Sequence, residues 1–180
     1  MSGIVTVYAT FPSDEEARVL FDITQELCEA HGLPAYEISN HARPGAESRH
    51  NLIYWRYGEY AGIGPGAHGR LVTGNARLAT ATEKHPETWL DLVERGGHGI
   101  VSEDLLSMEE EGDEFLLMGL RLREGIDPAR YAAFTGRSLD EARIRALEGD
   151  GLVARQGGSR LAVTRQGFPV LDAVVADLAA

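Results

Sequence analysis

Cysteine is nearly absent: the 180 residues hold one, Cys28. A single thiol excludes an internal disulfide framework and any metal cluster held by cysteines of this chain alone. Lying near the apolar face of a helical pattern, Cys28 reads as a small core hydrophobe rather than a reactive thiol. No apolar run approaches the roughly 18 residues of a membrane span. The N-terminus, Met1 to Tyr8, lacks the basic segment and long apolar core of a signal peptide, so a cytoplasmic location is expected. Positive charge is scarce: 17 Lys and Arg stand against 28 Asp and Glu, a net charge of −11. Such a field repels phosphates over most of the surface and disfavours general nucleic-acid binding. Internal repeats and low-complexity segments are missing. So are the Gly-x-Ser-x-Gly elbow of hydrolases and the Gly-Lys-Ser/Thr end of a phosphate loop. His31, His41, His85 and His98 lack zinc-ligand spacing with cysteines or carboxylates.

What is present is an ordinary globular composition, 43% apolar and 25% charged, enough for one domain with a real core or two small ones. Residues 4–11 are β-rich and predict a short strand. Ser13 and Glu16 then form a capping box, followed by Ala17, Leu20, Ile23, Leu27 and Cys28 at helical spacing, with Gly32 as the stop. Residues 34–39 predict a second strand, making an αβ unit of the kind that builds parallel sheets. A further strand is expected at Tyr60–Gly64, ending in a loop at Pro65–His68. Leu71–Thr82 reads as a hairpin turning at Gly74-Asn75.

Past residue 84 the pattern becomes helical. Pro86–Arg95 is a short amphipathic helix in a connector. Ser107 and Glu110 cap a helix with Phe115, Leu116, Met118, Gly119 and Leu122 as its buried face; Met118 reads as core. Asp127–Phe134 and Ser138–Gly149 are two more helices, the latter with Ser138 and Glu141 as a capping box. Residues 151–164 form a hairpin turning at Gly157-Gly158, and Gly167–Leu178 is a last helix. Helices followed by a two-stranded wing describe a winged-helix-like domain. The fold class is therefore α/β plus α. Residues 1–84 are the tail of an α/β assembly, 85–104 a connector, and 105–180 a helical domain. The first part has too few strands to close a parallel sheet, whose faces are normally both covered.

Chemistry concentrates in residues 47–70, which hold one of two tryptophans, three tyrosines and two histidines. In His50-Asn51-Leu52-Ile53-Tyr54-Trp55, the imidazole is a possible haem-iron ligand, and Tyr54 and Trp55 offer flat surfaces to a porphyrin. Arg43, Arg49 or Arg56 are candidates to pair with its propionates. On chemistry alone, a hydrogen-bonded structural histidine is the simpler reading. Gly62–His68 lets backbone approach a ligand closely, though His68 reads first as a structural hydrogen-bonding residue. Between Asp127 and Arg165, seven arginines face five acids, a balance of +2. That is a modest patch rather than a DNA-binding stripe, and a winged-helix nucleic-acid module is the weakest alternative.

Three segments carry a resemblance. Tyr36–Gly45 (Tyr-Glu-Ile-Ser-Asn-His-Ala-Arg-Pro-Gly), Arg49–Trp55 and Tyr60–His68 resemble, in order and spacing, the HemW family. These are radical-SAM haem chaperones long labelled oxygen-independent coproporphyrinogen III oxidase-like proteins. Leu116–Gly125 and the stretch from Gly151 to Gly167 look like that family's C-terminal domain. The resemblance implies the terminal βα units of a partial (β/α) barrel followed by that helical, winged-helix-like domain. It implies that the chain is similar to the C-terminal part of a longer protein whose Cys-x-x-x-Cys-x-x-Cys motif holds a 4Fe-4S cluster and S-adenosyl-L-methionine. That motif is absent here, so this chain alone is expected to lack radical chemistry. The family's His-Asn-x-x-Tyr-Trp pattern carries haem binding onto His50, Asn51, Tyr54 and Trp55, with His50 on the iron. It also implies a cofactor-facing loop of Ile63, Gly64, Gly66, Ala67 and His68. Many relatives have Cys where this sequence has Ser48, which puts any thiol ligation in doubt. The implied partners are haem, a haem-accepting protein and the missing N-terminal half of the barrel. A genuine coproporphyrinogen III oxidase of porphyrin biosynthesis is the enzymatic alternative.

Overall fold

The computed structural model describes residues 12–74 and 76–180. The strand expected at 4–11 lies outside the described residues. The first element, α1 (Asp14–Ala30), begins where the capping box predicts. Glu16 N donates to Ser13 Oγ at 3.3 Å and Ser13 N donates to Glu16 Oε2 at 2.8 Å. Its leucine side does not face a core. Leu20, Ile23 and Leu27 are exposed, and the buried residue of the helix is Gln25. On its inner side α1 packs Phe21 against the core and adds polar contacts: Arg123 Nη2 donates to Gln25 Oε1 at 3.1 Å, and Arg165 pairs with Glu26 at 3.1 Å. Cys28 is half-buried.

Of the strands expected before residue 65, the two that fall on described residues, 34–39 and 60–64, do not form. Residues 34–42 fold back on themselves, with Tyr36 N donating to Asn40 O and Ala42 N to Pro34 O, both at 3.1 Å. Single bridges join Ala35 to His41 and Glu37 to Leu122. Tyr60 likewise makes one bridge, to Arg70. Tyr36 and Ile38 favour strands, but a strand needs a ladder, and the described residues offer these segments only single rungs. Between them runs a helix the sequence reading missed, α2 (Arg49–Trp55), capped by Ser48. Ile53, Tyr54 and Trp55 are weak helix formers, so the cap and tertiary packing override local preference.

The hairpin is present and longer than expected. Strands β1 (His68–Thr73) and β2 (Ala76–Thr82) pair antiparallel, with Leu71 opposite Leu78. Gly74 has φ +64°, the left-handed conformation that a two-residue hairpin turn requires. Helix α3 (Pro86–Gly96) follows. The connector then contributes β3 (Ile100–Leu105), antiparallel to β2, so the sheet order is β1-β2-β3. The α/β plus α class holds, but the ladders described are antiparallel rather than parallel.

Beyond it lie α4 (Met108–Gly119), α5 (Pro128–Thr135) and α6 (Glu141–Gly149). The hairpin β4 (Val153–Gln156) and β5 (Arg160–Val163) comes next, then a 3-10 turn at Phe168–Val170 and α7 (Leu171–Ala179). The Ser107–Glu110 capping box forms. The expected Ser138–Glu141 box does not: Asp140 caps α6, accepting from Ala142 N at 2.7 Å. Leu139, buried at the residue before the cap, fixes where the chain enters the helix. The core joins Phe115, Leu116 and Leu120 to Tyr131, Ile144, Leu161, Phe168 and Val174. Met118, expected inside, is half-buried and packs against it. Each such side chain contributes about 1.5–3 kcal/mol on burial. Tyr57, from the segment after α2, belongs to the same cluster and is 3% exposed.

Candidate functional site

Seven residues of helix place the motif side chains by spacing alone. Residues four apart share a face and neighbours differ by about 100°. His50 and Tyr54 therefore share one stripe of α2, and Asn51 and Trp55 the next. On the first stripe the Tyr54 hydroxyl hydrogen-bonds His50 Nε2. Their rings meet edge-on with centroids 4.5 Å apart, and Tyr60 packs edge-on against Tyr54 at the same separation. The His50 imidazole remains exposed. On the second stripe Asn51 Nδ2 donates to the Tyr36 hydroxyl at 3.2 Å, and the Arg121 guanidinium lies over the Trp55 ring at 5.5 Å. The structure thus brings His50 and Tyr54 together and turns Asn51 and Trp55 to a different neighbourhood.

Behind the aromatic stripe sits an ion pair that sequence reading missed. Arg70 on β1 clasps Glu114 on α4, with Nη2 2.6 Å from Oε1 and Nε 3.0 Å from Oε2. The Tyr57 hydroxyl donates to Glu114 Oε2 at 3.1 Å. Bonding to Glu114 raises the Arg70 guanidinium pKa above its ordinary value, and burial pushes the Tyr60 phenol up. Arg70 and Glu114 are 44 positions apart in the chain, so no local pattern could have paired them.

The glycine loop is braced from within. Buried Thr82 accepts from Ala67 N at 2.8 Å and donates to Gly64 O at 2.6 Å. Gly66 N donates to Glu83 O at 2.7 Å. A Cβ on Gly62 would stand 2.5 Å from the His68 carbonyl oxygen, so this close approach requires glycine. Ile63 is 88% exposed and His68 is exposed at the start of β1. The loop amides at Gly66 and Ala67 are thus spent on the scaffold.

Among the described residues no group of three or more His, Cys, Asp or Glu is arranged to hold a metal ion. A haem iron needs less, since one axial imidazole suffices, and exposed His50 fits that role. A 4Fe-4S cluster does not fit, because Cys28 is the only thiol. No helix described is long and apolar enough to cross a membrane.

The family model described as HemN C-terminal domain matches residues 106–170. Over 159 residues the chain is 35% identical to Heme chaperone HemW of Bacillus subtilis, covering 87% of this chain and 41% of that protein. It is 34% identical over 167 residues to Heme chaperone HemW of Mycobacterium tuberculosis, covering 93% and 40%. The chain corresponds to the C-terminal part of a HemW-like protein. A mitochondrial radical S-adenosyl methionine domain-containing protein 1 of Danio rerio is 34% identical over 163 residues, covering 87% of this chain and 36% of that one. In fold, the chain matches coproporphyrinogen III oxidase (HemN) from Escherichia coli, a radical SAM enzyme, with a TM-score of 0.66 and 15% identity. That match covers 94% of this chain and 42% of the enzyme. The chain therefore spans about two-fifths of the length of these HemW-like relatives. Its HemN C-terminal domain runs from the start of α4 to the 3-10 turn before α7.

Proposed function

We propose that this chain is the haem-handling C-terminal portion of a HemW-like haem chaperone, which binds haem and passes it to a haem-accepting protein. The observation that carries the reading is the exposed His50 imidazole beside Tyr54 on α2, in a chain 35% identical to a protein named Heme chaperone HemW. Haem would supply an iron able to accept an imidazole nitrogen. His50 would hold that iron, giving up its hydrogen bond to Tyr54 if Nε2 is the ligand. Tyr54, now bonded to His50, would border the bound group. On this reading residues 1–84 are the end of a barrel, 105–180 the HemN-type domain, and 85–104 the stretch between them. The cluster and S-adenosyl-L-methionine belong to the remainder of such a protein. Fold likeness at 15% identity gives no support to oxidase activity.

The test is a haem titration of the chain and of His50→Ala, followed by Soret absorption. A shifted Soret band and an affinity loss of about tenfold or more are expected for the variant. Equal spectra and equal affinities would remove His50 as the ligand.

A further inference from the structure

Trp55, turned away from His50, forms part of a cleft of about 270 Å³ between α2 and the segment that joins α4 to α5. The floor is apolar, made of Trp55, Phe115, Leu122 and Ile126. The rim carries Arg56, Arg130 and Arg160. In a chain of net charge −11, three guanidiniums around an apolar floor are out of keeping with the rest of the surface. Their partners explain why the positive charge persists. Arg130 donates to main-chain oxygens, Nη1 to Arg56 O at 2.7 Å and Nη2 to Tyr57 O at 3.1 Å. Its guanidinium also lies over the Phe115 and Phe134 rings, at 5.4 and 5.3 Å. Arg160 donates to Glu124 O at 2.7 Å and Gly125 O at 2.5 Å. Carbonyls fix Arg130 without neutralising it, and Arg160 shares the single Glu124 carboxylate with Arg56.

The two carboxylates at the rim are already committed. Glu124 is held by Arg56 at 2.9 Å and touches Arg160 at 3.4 Å. Asp127 accepts from Ala129 N at 2.9 Å as the cap of α5. Arg130 has no carboxylate within ion-pair distance among the described residues. Burial first, then the charges of Arg77 and Arg160, hold its pKa below the ordinary arginine value. An added anion would relieve that repulsion, and rigid, pre-placed donors bind one at low entropic cost.

The geometry points to a carboxylate site: the cleft takes an acid group on a short apolar stem, with the carboxylate on Arg130 and Arg160 and the stem on the Trp55–Phe115 floor. At about 270 Å³ it is smaller than the ~300–1,000 Å³ of pockets for drug-sized ligands, so it holds an arm and not a tetrapyrrole ring. The acid is either a free short-chain carboxylate or a propionate of haem; only the second source rests on the function proposed above.

The test uses the 180-residue chain and the indole N–H resonance of Trp55, assigned by its loss in Trp55→Phe. Propionate at constant ionic strength should move this resonance saturably, with a midpoint on the order of millimolar. Uncharged propionamide should not move it. Arg130→Gln and Arg160→Gln should each weaken the response about tenfold, as expected for loss of a charged hydrogen bond, with circular dichroism confirming that at least one stays folded. Haem and its dimethyl ester separate the sources. If Arg130→Gln weakens haem but not the ester, the acid is the porphyrin's own propionate; if both respond alike, it is a free acid. No saturable shift up to about 100 mM propionate, an equal shift from propionamide, or an undiminished response in both arginine variants overturns the site. His50→Ala without effect on haem, beside an intact propionate response, would defeat the haem reading alone.

Discussion

Arg70 on β1 and Glu114 on α4 form a two-pronged pair, with Nη2 2.6 Å from Oε1 and Nε 3.0 Å from Oε2. It ties the three-stranded sheet to the HemN C-terminal domain, beside a second link in which Arg77 N donates to Glu111 Oε1 at 3.2 Å. The Arg70 and Glu114 side chains are about four-fifths shielded, at 18% and 21% exposure. Removing one partner strands the other, which costs more than the pair itself is worth. Glu114→Gln should therefore lower unfolding free energy by about 1–3 kcal/mol, read from urea denaturation. Arg70→Met with Glu114→Gln should cost less than the sum of the single changes. Strict additivity would mean the two do not act together.

Tyr57 combines a buried ring with φ +53°, a conformation unusual for a large side chain. The ring is pinned by the Arg77 guanidinium at 3.9 Å and by Phe115 and Phe134, with centroids 6.0 and 5.6 Å away. Such packing offsets backbone strain of about 1–3 kcal/mol. Tyr57→Ala keeps the strained position and loses the packing, so a loss of about 3–5 kcal/mol is expected. Tyr57→Phe gives up only the hydroxyl bond to Glu114 and should cost about 1 kcal/mol. Urea midpoints falling in the reverse order would refute the assignment.

Helix caps are a local code, and they show how far sequence reading reaches. Ser13–Glu16 and Ser107–Glu110 form as written, while Ser138–Glu141 satisfies the same pattern and yields to Asp140. Ser107→Ala should therefore cost about 1 kcal/mol. Ser138→Ala should stay within about 0.5 kcal/mol. Thermal melts of the two variants test this, and equal losses would contradict the observed cap.

The same contrast runs through the fold. Hairpins declare themselves by their turns, and both Gly74 and Gly157-Gly158 lie where chains reverse between paired strands. Residues 34–39 and 60–64 look like strands because side-chain type is local, whereas the ladder partner that makes a strand is not. The third strand, β3, went unread because Ser102, Glu103 and Asp104 hide its period. At the site, the His50 and Tyr54 pairing follows from spacing only once α2 is known to be a helix. Thr82, which braces the glycine loop, and Glu114, which anchors Arg70, lie 18 and 44 residues from the groups they hold.

Glu124 gives the expected pH dependence. Its pKa is lowered chiefly by the hydrogen bonds from Arg56, with Coulombic help from Arg56 and Arg160. A carboxylate depressed in the folded state contributes stability that is present above its ordinary value and is lost as pH falls through the lowered one. The gap in urea midpoint between the chain and Glu124→Gln should be open at pH ~6 and close toward pH ~3, since an ordinary glutamate titrates near 4.3. The side chains are 53% and 39% exposed, so salt should shrink the gap. A gap that widens on acidification would reverse the sign.

Tyr54 offers the sharpest test of the haem reading. Its hydroxyl occupies His50 Nε2, so an iron bound there must first break that bond. A typical hydrogen bond contributes about 0.5–1.5 kcal/mol net, equivalent to roughly 2–10-fold in affinity. Tyr54→Phe keeps the ring packed on Tyr60 and removes the competitor. Haem affinity should therefore rise by roughly 2–10-fold, while Tyr54→Phe with His50→Ala should show no gain over His50→Ala alone. Should Tyr54→Phe weaken haem instead, the phenol aids the bound state rather than competing with iron, and ligation through Nε2 in place of Tyr54 would have to be given up.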